Sequence, residues 1–299
     1  MLSTLAIIIR GMLMGIADSI PGVSGGTVAM IVGIYERLIG AISNFGLDFV
    51  KMVLKGQWKA AWNHVDLGFL ITLILGIAIG LGSFSVLITH LLAHHLPVTF
   101  ACFMGMILAS VLILYRQISQ KTILNILAMV IGTVAAYFIT SIPQVQGNDG
   151  NLLYIFVCGA IAICAMILPG ISGSYILLIL GEYHHIIHRV KELAQGRTTV
   201  SDFLTLCVFG CGCVLGLLFF SRFLKYLLKH YHSTTLAVLT GFMIGSLRCL
   251  WPFQVQDGKE FKMLAMTDFS TATQIHVVIA LILGLAIVLL LERIANKLG

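Results

Sequence analysis

Charged residues are scarce in this sequence. Only 10% of the 299 residues are Asp, Glu, Lys or Arg, whereas a soluble domain carries about 25%. Five long stretches contain none of these residues: 67–115, 122–148, 150–181, 203–221 and 269–291. Because about 20 apolar residues span a bilayer, the sequence predicts an all-α, polytopic integral membrane protein. It leaves no room for a soluble basic domain, so nucleic acid is excluded as a partner.

Several other signals are missing. The sequence contains no P-loop, no HExxH, no dinucleotide-binding glycine pattern after a strand and no Gly-x-Ser-x-Gly elbow. The first apolar stretch runs into a glycine-rich segment rather than a polar domain, so no cleaved signal peptide is expected. Seven cysteines lie in or beside apolar segments without a metal-site spacing. We therefore predict no enzymatic activity, no metal and no cofactor.

Proline is also rare, and two of the five prolines lie in near-copies of one phrase. The phrases are Pro21-Gly22-Val23-Ser24-Gly25-Gly26 and Pro169-Gly170-Ile171-Ser172-Gly173-Ser174. Each interrupts an apolar run where a helix would otherwise continue. In a membrane, such a break is tolerated where the freed backbone groups are buried in protein or line a cavity. A matched pair of breaks is typical of a transporter's substrate site.

The two phrases belong to a longer internal repeat. Ten apolar segments divide into two sets of five, which gives repeats over about 1–142 and 150–299 within one transport domain, 1–299. Gly33 and Tyr35 match Gly181 and Tyr183 at an offset of 148 residues. Further along, matches such as Gly76 with Gly212 need an offset of 136. The difference predicts a longer loop around 45–66 in the first half.

The repeat also predicts topology. If the segments flanking each phrase form a re-entrant hairpin, each half crosses the membrane three times; if they span, it crosses five times. Both numbers are odd, so the halves form an inverted-topology repeat. A mixed case with four crossings would make the halves parallel. The odd count places eleven Lys and Arg on one side and six on the other, which predicts cytoplasmic termini.

The phrases supply the predicted binding site. A helix that starts after each phrase leaves amide N–H groups and a partial positive charge facing the break, which favours an anion. The alternative is that glycine and proline merely allow tight packing or a kink. The predicted substrate-binding residues are Pro21, Gly22, Ser24, Gly25, Gly26, Thr27, Pro169, Gly170, Ser172, Gly173, Ser174 and Arg10.

Two ionisable residues lie within the first apolar run. Arg10 and Asp18 correspond to Cys158 and Met166 in the second half, so this polar pair occurs only once. Intramembrane charges usually face a cavity or a partner. We predict that Asp18 couples transport to a proton or cation, and that Arg10 is its partner or a phosphate ligand. The alternatives are snorkelling by Arg10 and helix capping by Asp18.

Charged and aromatic residues follow both phrases. They could line a gate or entrance, or they could form an ordinary interfacial belt. The residues are Tyr35, Glu36, Arg37, Glu182 and Tyr183. We interpret the nearby His184, His185 and His188 as interfacial polar residues.

The stretch 15–27, continuing to Gly33-Ile34-Tyr35-Glu36, resembles the signature of a bacterial membrane family, as does 168–175 with Gly181-Glu182-Tyr183. The family is that of PopT-type undecaprenyl phosphate translocases, formerly catalogued as a domain of unknown function. The resemblance implies a flippase in the bacterial cytoplasmic (inner) membrane. Such a protein would return the C55 lipid carrier to the cytoplasmic leaflet after polymers of the cell envelope, such as peptidoglycan, have been built.

Three other functions are compatible with parts of the pattern. A transporter or channel for a small inorganic anion could use the same helix termini. A membrane phosphatase would need an acid, base or metal cluster that the sequence lacks. A scaffold would leave the paired breaks unexplained. The sequence does not determine the coupling ion, the oligomeric state or the selectivity among polyprenyl phosphates.

Overall fold

The computed structural model describes residues 3–18, 24–119, 122–142, 151–257 and 260–298. The helices of the first half are α1 (Thr4–Asp18), α2 (Gly25–Ile31), α3 (Tyr35–Ser43), α4 (Leu47–Leu54), α5 (Trp58–His64), α6 (Leu67–His94), α7 (Leu96–Gln117) and α8 (Ile123–Ile139). Those of the second half are α9 (Leu152–Ile167), α10 (Gly173–Ile179), α11 (Tyr183–Ala194), α12 (Val200–His230), α13 (His232–Ser246) and α14 (Thr271–Leu298).

Between α13 and α14 the chain forms two short 3-10 turns and one hairpin. The turns are Leu247–Leu250 and Met266–Asp268, and strand β1 (Gln254–Asp257) pairs antiparallel with β2 (Glu260–Met263). Within the described residues, this hairpin is the only departure from helix and loop, and the sequence did not predict it. At four residues per strand it is too short for an alternating pattern to stand out.

Five of the described helices are long and apolar enough to cross a membrane, namely α6, α7, α12, α13 and α14. The bent pair of α2 and α3 would make a sixth span, and α8 and α9 are shorter apolar helices. Many large apolar side chains on these helices are exposed, as at Ile74, Phe138 and Phe219. Such a surface is expected where helices contact lipid. The predicted all-α, polytopic membrane protein is confirmed.

The segment 45–66, predicted as a loop, contains α4 and α5. Leu47, Leu54 and Trp58 are exposed along it, beside Lys51 and Lys55. Helices of seven or eight residues are marginal by themselves and leave little periodic signal in a sequence. The longer connection therefore lies where the offsets placed it, but most of it is helical rather than loop.

Helix packing follows both offsets of the repeat. Gly76 of α6 lies against the carbonyl of Ile8 in α1, and Gly212 of α12 lies against the carbonyl of Phe156 in α9. Gly212 is 136 residues beyond Gly76, and Phe156 is 148 residues beyond Ile8. A side chain at either glycine would collide with the partner backbone. The repeated glycines thus mark equivalent close helix contacts.

The two halves interlock rather than stand side by side. Helix α7 packs along α14, and α8 packs along α13. Gly105 of α7 contacts the carbonyl of Leu281, while Gly241 of α13 contacts that of Met129. Each half therefore completes its packing with helices from the other half. The opposite orientation of the halves in the membrane stays a prediction.

Each of the short helices α2 and α10 ends in a glycine with a left-handed backbone, Gly33 (φ 71°) and Gly181 (φ 77°). The amides of each glycine and the next residue, Ile34 or Glu182, bond back to the helix at 2.9 to 3.1 Å. This is the Schellman motif that terminates a helix. From α2 to α3 the chain changes direction by 119°, which is more than a right angle and is typical of a re-entrant hairpin.

Candidate functional site

The start of α2 meets the break that follows α9. Ser24 is 1% exposed, and its hydroxyl lies 3.2 Å from the carbonyl oxygen of Met166 and 3.3 Å from that of Leu168. The hydroxyl has one proton and donates to one of these carbonyls at a time. Both carbonyls belong to the last turn of α9, which loses its helical donors at Pro169. A side chain from the first half therefore stabilises the break in the second.

Two more contacts join the breaks. The Tyr35 hydroxyl donates to the carbonyl of Ile167 at 3.1 Å, and the backbone amide of Gly170 donates to Thr27 Oγ1 at 2.8 Å. A Cβ on Gly26 would lie 2.5 Å from the Ile167 carbonyl oxygen. Both halves of the chain therefore contribute polar groups to this contact, and their backbones approach closely. We call the region formed by 24–27 and 166–170 the polar seam.

In the first half, the leading amides of α2 already have acceptors within the chain. Gly25 N donates to Asp18 Oδ1 at 2.7 Å, and Gly26 N donates to Ser24 Oγ at 3.1 Å. A carboxylate in this position is favoured by the helix dipole. Asp18 thus has the capping contact that the sequence offered as an alternative to ion coupling. Pro21 and Gly22 lie outside the described residues.

In the second half, the equivalent end of α10 is more open. Ser172 precedes α10 without a side-chain capping bond, and its hydroxyl lies 2.7 Å from that of Ser174, which is exposed. The residue equivalent to Asp18 is Met166, which has no carboxylate. One hydroxyl donates to the other, so the pair keeps one O–H proton for a further acceptor.

Gly170 is fixed by both its backbone and its surroundings. Its φ of +89° favours glycine, and an added Cβ would lie 2.8 Å from the Cα of Met243 in α13. Gly173 is similarly tight, with the carbonyl oxygen of Ala162 at 2.6 Å from such a Cβ. These two predicted site glycines and the buried Pro169 shape the break.

Arg10 lies away from Asp18. Its Nε donates to the carbonyl of Val32 at the end of α2, at 3.1 Å, and its Nη1 to that of Ala6, at 3.3 Å. Eight helical residues separate Arg10 from Asp18, or about 12 Å along the axis, and no ion pair joins them in the described part of the chain. The predicted partnership of Arg10 with Asp18 is therefore not seen.

The second half caps the equivalent carbonyl with another residue. Leu180 is 148 residues beyond Val32, and its carbonyl accepts from the Tyr154 hydroxyl at 2.7 Å. Tyr154 lies in α9, the counterpart of the helix that carries Arg10. An uncharged donor thus does in one half what a guanidinium does in the other.

The predicted gate residues do not form one cluster. Tyr35 and Glu182 are buried. Glu36 is exposed and contacts His232 Nε2 at 2.9 Å, while Arg37 pairs with Asp66 at 2.6 Å and lies over the ring of Phe69. Tyr183 is half-buried and packs beside its neighbour His184.

Contacts between α12 and the end of α3 were missed from the sequence. Arg222 Nη2 donates to the carbonyl of Phe45 at 2.6 Å, and Lys225 Nζ donates to Asn44 Oδ1 at 2.8 Å. These cations satisfy acceptors at a helix C-terminus, which is a favourable place for positive charge. The signal was a pair of basic residues, Arg222 and Lys225, just after the uncharged run 203–221.

These features define a polytopic α-helical membrane protein with paired broken helices, an arrangement typical of transporters. The chain belongs to the VCA0040-like family, described as undecaprenyl phosphate translocase-like, whose model matches residues 14–267. It is 37% identical over 306 aligned positions to a protein of Vibrio cholerae named "Polyprenyl-phosphate transporter", covering 97% of this chain and 96% of that one.

A second relative, from Staphylococcus aureus, carries the same name. It is 32% identical over 258 aligned positions, which cover 82% of this chain and 85% of the relative. No solved structure matches the chain. Because the family and both relatives are named for translocation or transport, the predicted non-enzymatic class is confirmed, as is the resemblance noted in the sequence.

Proposed function

We propose that this protein is a translocase that returns undecaprenyl phosphate, or a related polyprenyl phosphate, from the outer to the cytoplasmic leaflet. The membrane is the bacterial cytoplasmic membrane, the termini are cytoplasmic, and an ion gradient drives the movement. The observation that carries the proposal is the polar seam, where two broken helices meet inside an otherwise apolar bundle. The names of the two relatives supply the substrate class.

The seam suits the physical problem of moving a phosphate across lipid. Taking a small anion from water into a hydrocarbon-like medium has an idealised cost of about 20 kcal/mol. The pairing of Ser172 with Ser174 leaves an O–H donor available, and the glycines allow a ligand to approach the backbone closely. We assign the headgroup to the Ser172 and Ser174 hydroxyls, which follow the seam in the sequence, with Arg10 as a further ligand as the headgroup moves. The prenyl chain stays in lipid, which the exposed apolar faces of the bundle can accommodate.

Ion coupling is assigned to Asp18. Its carboxylate is half-buried in an apolar helix and accepts from Gly25 beside the seam. While ionised, Asp18 repels a phosphate; once it binds a proton, its charge is gone and its hydrogen bond from Gly25 weakens. Inward movement of negative charge against a negative-inside potential costs about 2.3 kcal/mol per charge per 100 mV. Protons or Na⁺ ions that move inward with the lipid offset this cost, because their positive charge is attracted by the same potential.

The test is movement of labelled undecaprenyl phosphate from one leaflet of proteoliposomes to the other, with and without a pH or Na⁺ gradient. We expect Asp18→Asn to remove the stimulation by the gradient, because the amide cannot bind a proton. The matched control is Asp48→Asn, since Asp48 is exposed and only 3.6 Å from Lys51 in an ordinary surface pair. Unchanged stimulation in Asp18→Asn would remove the assignment.

A small inorganic anion is the competing substrate. We expect that adding excess inorganic phosphate or chloride leaves the rate of lipid movement unchanged. Those ions lack the prenyl chain and should not compete with the lipid. Uptake of radioactive phosphate with no movement of labelled lipid would overturn the proposed substrate.

A further inference from the structure

Glu182 is the most deeply buried acidic residue in the described part of the chain. Its side chain is 0% exposed, and neither carboxyl oxygen has a hydrogen-bond partner among the described residues. A buried ionised carboxylate is costly unless it is paired or hydrogen-bonded. Packing alone therefore does not explain why a glutamate occupies this buried position.

The first half shows that packing does not require an acid at this position. Glu182 is equivalent to Ile34, which is 1% exposed, and each directly follows the left-handed glycine that terminates the short helix. The residue after that glycine commonly makes a hydrophobic contact with the helix in a Schellman motif. Ile34 fits that rule and Glu182 departs from it, although the backbone bonds are the same.

One partner faces the carboxylate directly. His185 lies one turn further along α11, with its Nδ1 3.4 Å from Glu182 Oε2, and its side chain is 35% exposed. The pair therefore has a fully buried acid at one end and a partly exposed imidazole at the other. Proton exchange with the outside can pass through the imidazole.

The other polar groups around Glu182 come from α9, α11 and α12. Tyr154 and Cys158 of α9 lie close enough to interact with Glu182 electrostatically. The Tyr154 hydroxyl is already donated to Leu180. Arg189, two turns beyond Glu182 on α11, is held 3.2 Å from Asp202 of α12. Asp202 therefore holds the guanidinium of Arg189 at the surface, and the ion pair of the Glu182 carboxylate within the described residues is the one with His185.

We propose that Glu182 and His185 form a second proton-binding site of the transporter, in addition to Asp18. In one state the pair holds a carboxylate and an imidazolium; in the other, an added proton converts the carboxylate to a neutral acid. This inference rests on the proposed function for its role in transport. It adds a proton carrier at the end of α10 opposite to the one that faces the polar seam.

The charge of the proposed substrate supports a second site. A phosphate monoester carries about −1.5 to −2 charges at pH 7. A single proton on Asp18 leaves part of that charge to move against the membrane potential, whereas two protons neutralise it. One acid in each half, the half-buried Asp18 and the buried Glu182, supplies that number.

The test uses Glu182→Gln, with Glu192→Gln as a matched control on the same helix, where the side chain reaches solvent. Glu182→Ile is the second variant, since Ile34 shows that the motif folds with isoleucine. The first readout is infrared spectroscopy of the purified protein during acidification, which detects a carboxyl group gaining a proton without any need for transport. The second is the number of protons taken up per labelled polyprenyl phosphate in weakly buffered proteoliposomes.

We expect both Glu182 variants to lose one component of the carboxyl signal, the component from Asp18 to remain, and Glu192→Gln to keep both. We also expect fewer protons per lipid in the Glu182 variants, while the proteins stay folded. An unchanged carboxyl signal in both Glu182 variants, or an unchanged proton count, would overturn the second site. If wild-type vesicles moved no polyprenyl phosphate, the proposed function would fail, but the infrared result would still decide whether Glu182 binds a proton.

Discussion

The short helices α2 and α10 end in the same left-handed glycine turn, at Gly33 and Gly181, but the polar groups around them differ. At the first break, Asp18 accepts from Gly25 and Arg10 caps the far end of α2. At the second, Met166 replaces the acid, and Tyr154 caps α10. The open hydroxyls and the buried Glu182 belong only to the second break. A duplicated scaffold therefore holds a different set of polar groups in each half.

This difference separates what the repeat requires from what it does not. Glycine contacts and helix-terminating turns occur in both halves, so they serve the fold. The ionisable residues Arg10, Asp18 and Glu182 each occur in one half only. The equivalent residues of the other half are Cys158, Met166 and Ile34. Since an isolated intramembrane charge is unfavourable, groups that the fold can do without are the better candidates for function.

The largest effect is expected from the backbone of the second break. We predict that Gly170→Ala lowers the free energy of unfolding by at least about 2 kcal/mol, because a left-handed alanine costs 1–2 kcal/mol and overpacking costs 1–3 more. Thermal unfolding in detergent measures the loss. Gly210→Ala is the control, since a side chain there meets open space. Equal stability of the two variants would mean that Met243 does not hold the second break closed.

The repeat and the paired breaks could be predicted because helix breakers and glycine contacts leave a pattern in the sequence. The partners of individual polar groups could not. Thr27 was expected to donate to a ligand, yet it accepts from Gly170, 143 residues away. Tyr35 was expected near an entrance, yet its hydroxyl donates to Ile167. Such contacts depend on how helices from different halves come together, which local periodicity does not encode.

A smaller effect should separate the hydroxyls of the two breaks. We predict that Ser24→Ala costs about 1–2 kcal/mol of stability, because the variant loses a buried cap and the donor to the last turn of α9. The double variant Ser172→Ala/Ser174→Ala should stay within about 0.5 kcal/mol, since those side chains are more exposed. Transport per folded molecule should show the opposite order, with the larger loss in the double variant.

Thermal unfolding measures stability, and movement of labelled lipid between the leaflets of proteoliposomes made from the same preparations measures transport. Full transport by the Ser172→Ala/Ser174→Ala protein would show that the open hydroxyls do not bind the headgroup. The seam would then be a structural contact, and the headgroup would have to bind elsewhere.

The smallest predicted difference in stability is between variants of the two caps at the far ends of α2 and α10. Arg10→Met and Tyr154→Phe each remove the donor to one equivalent carbonyl, so each should cost about 1 kcal/mol. If Arg10 also contacts the phosphate, only Arg10→Met should slow transport per folded molecule, because phenylalanine keeps the ring and removes no charge. An equal effect of both variants on transport would mean that Arg10 caps α2 and does not contact the phosphate. The asymmetry between the halves would then reside in the acids Asp18 and Glu182 and in the open hydroxyls of the second break.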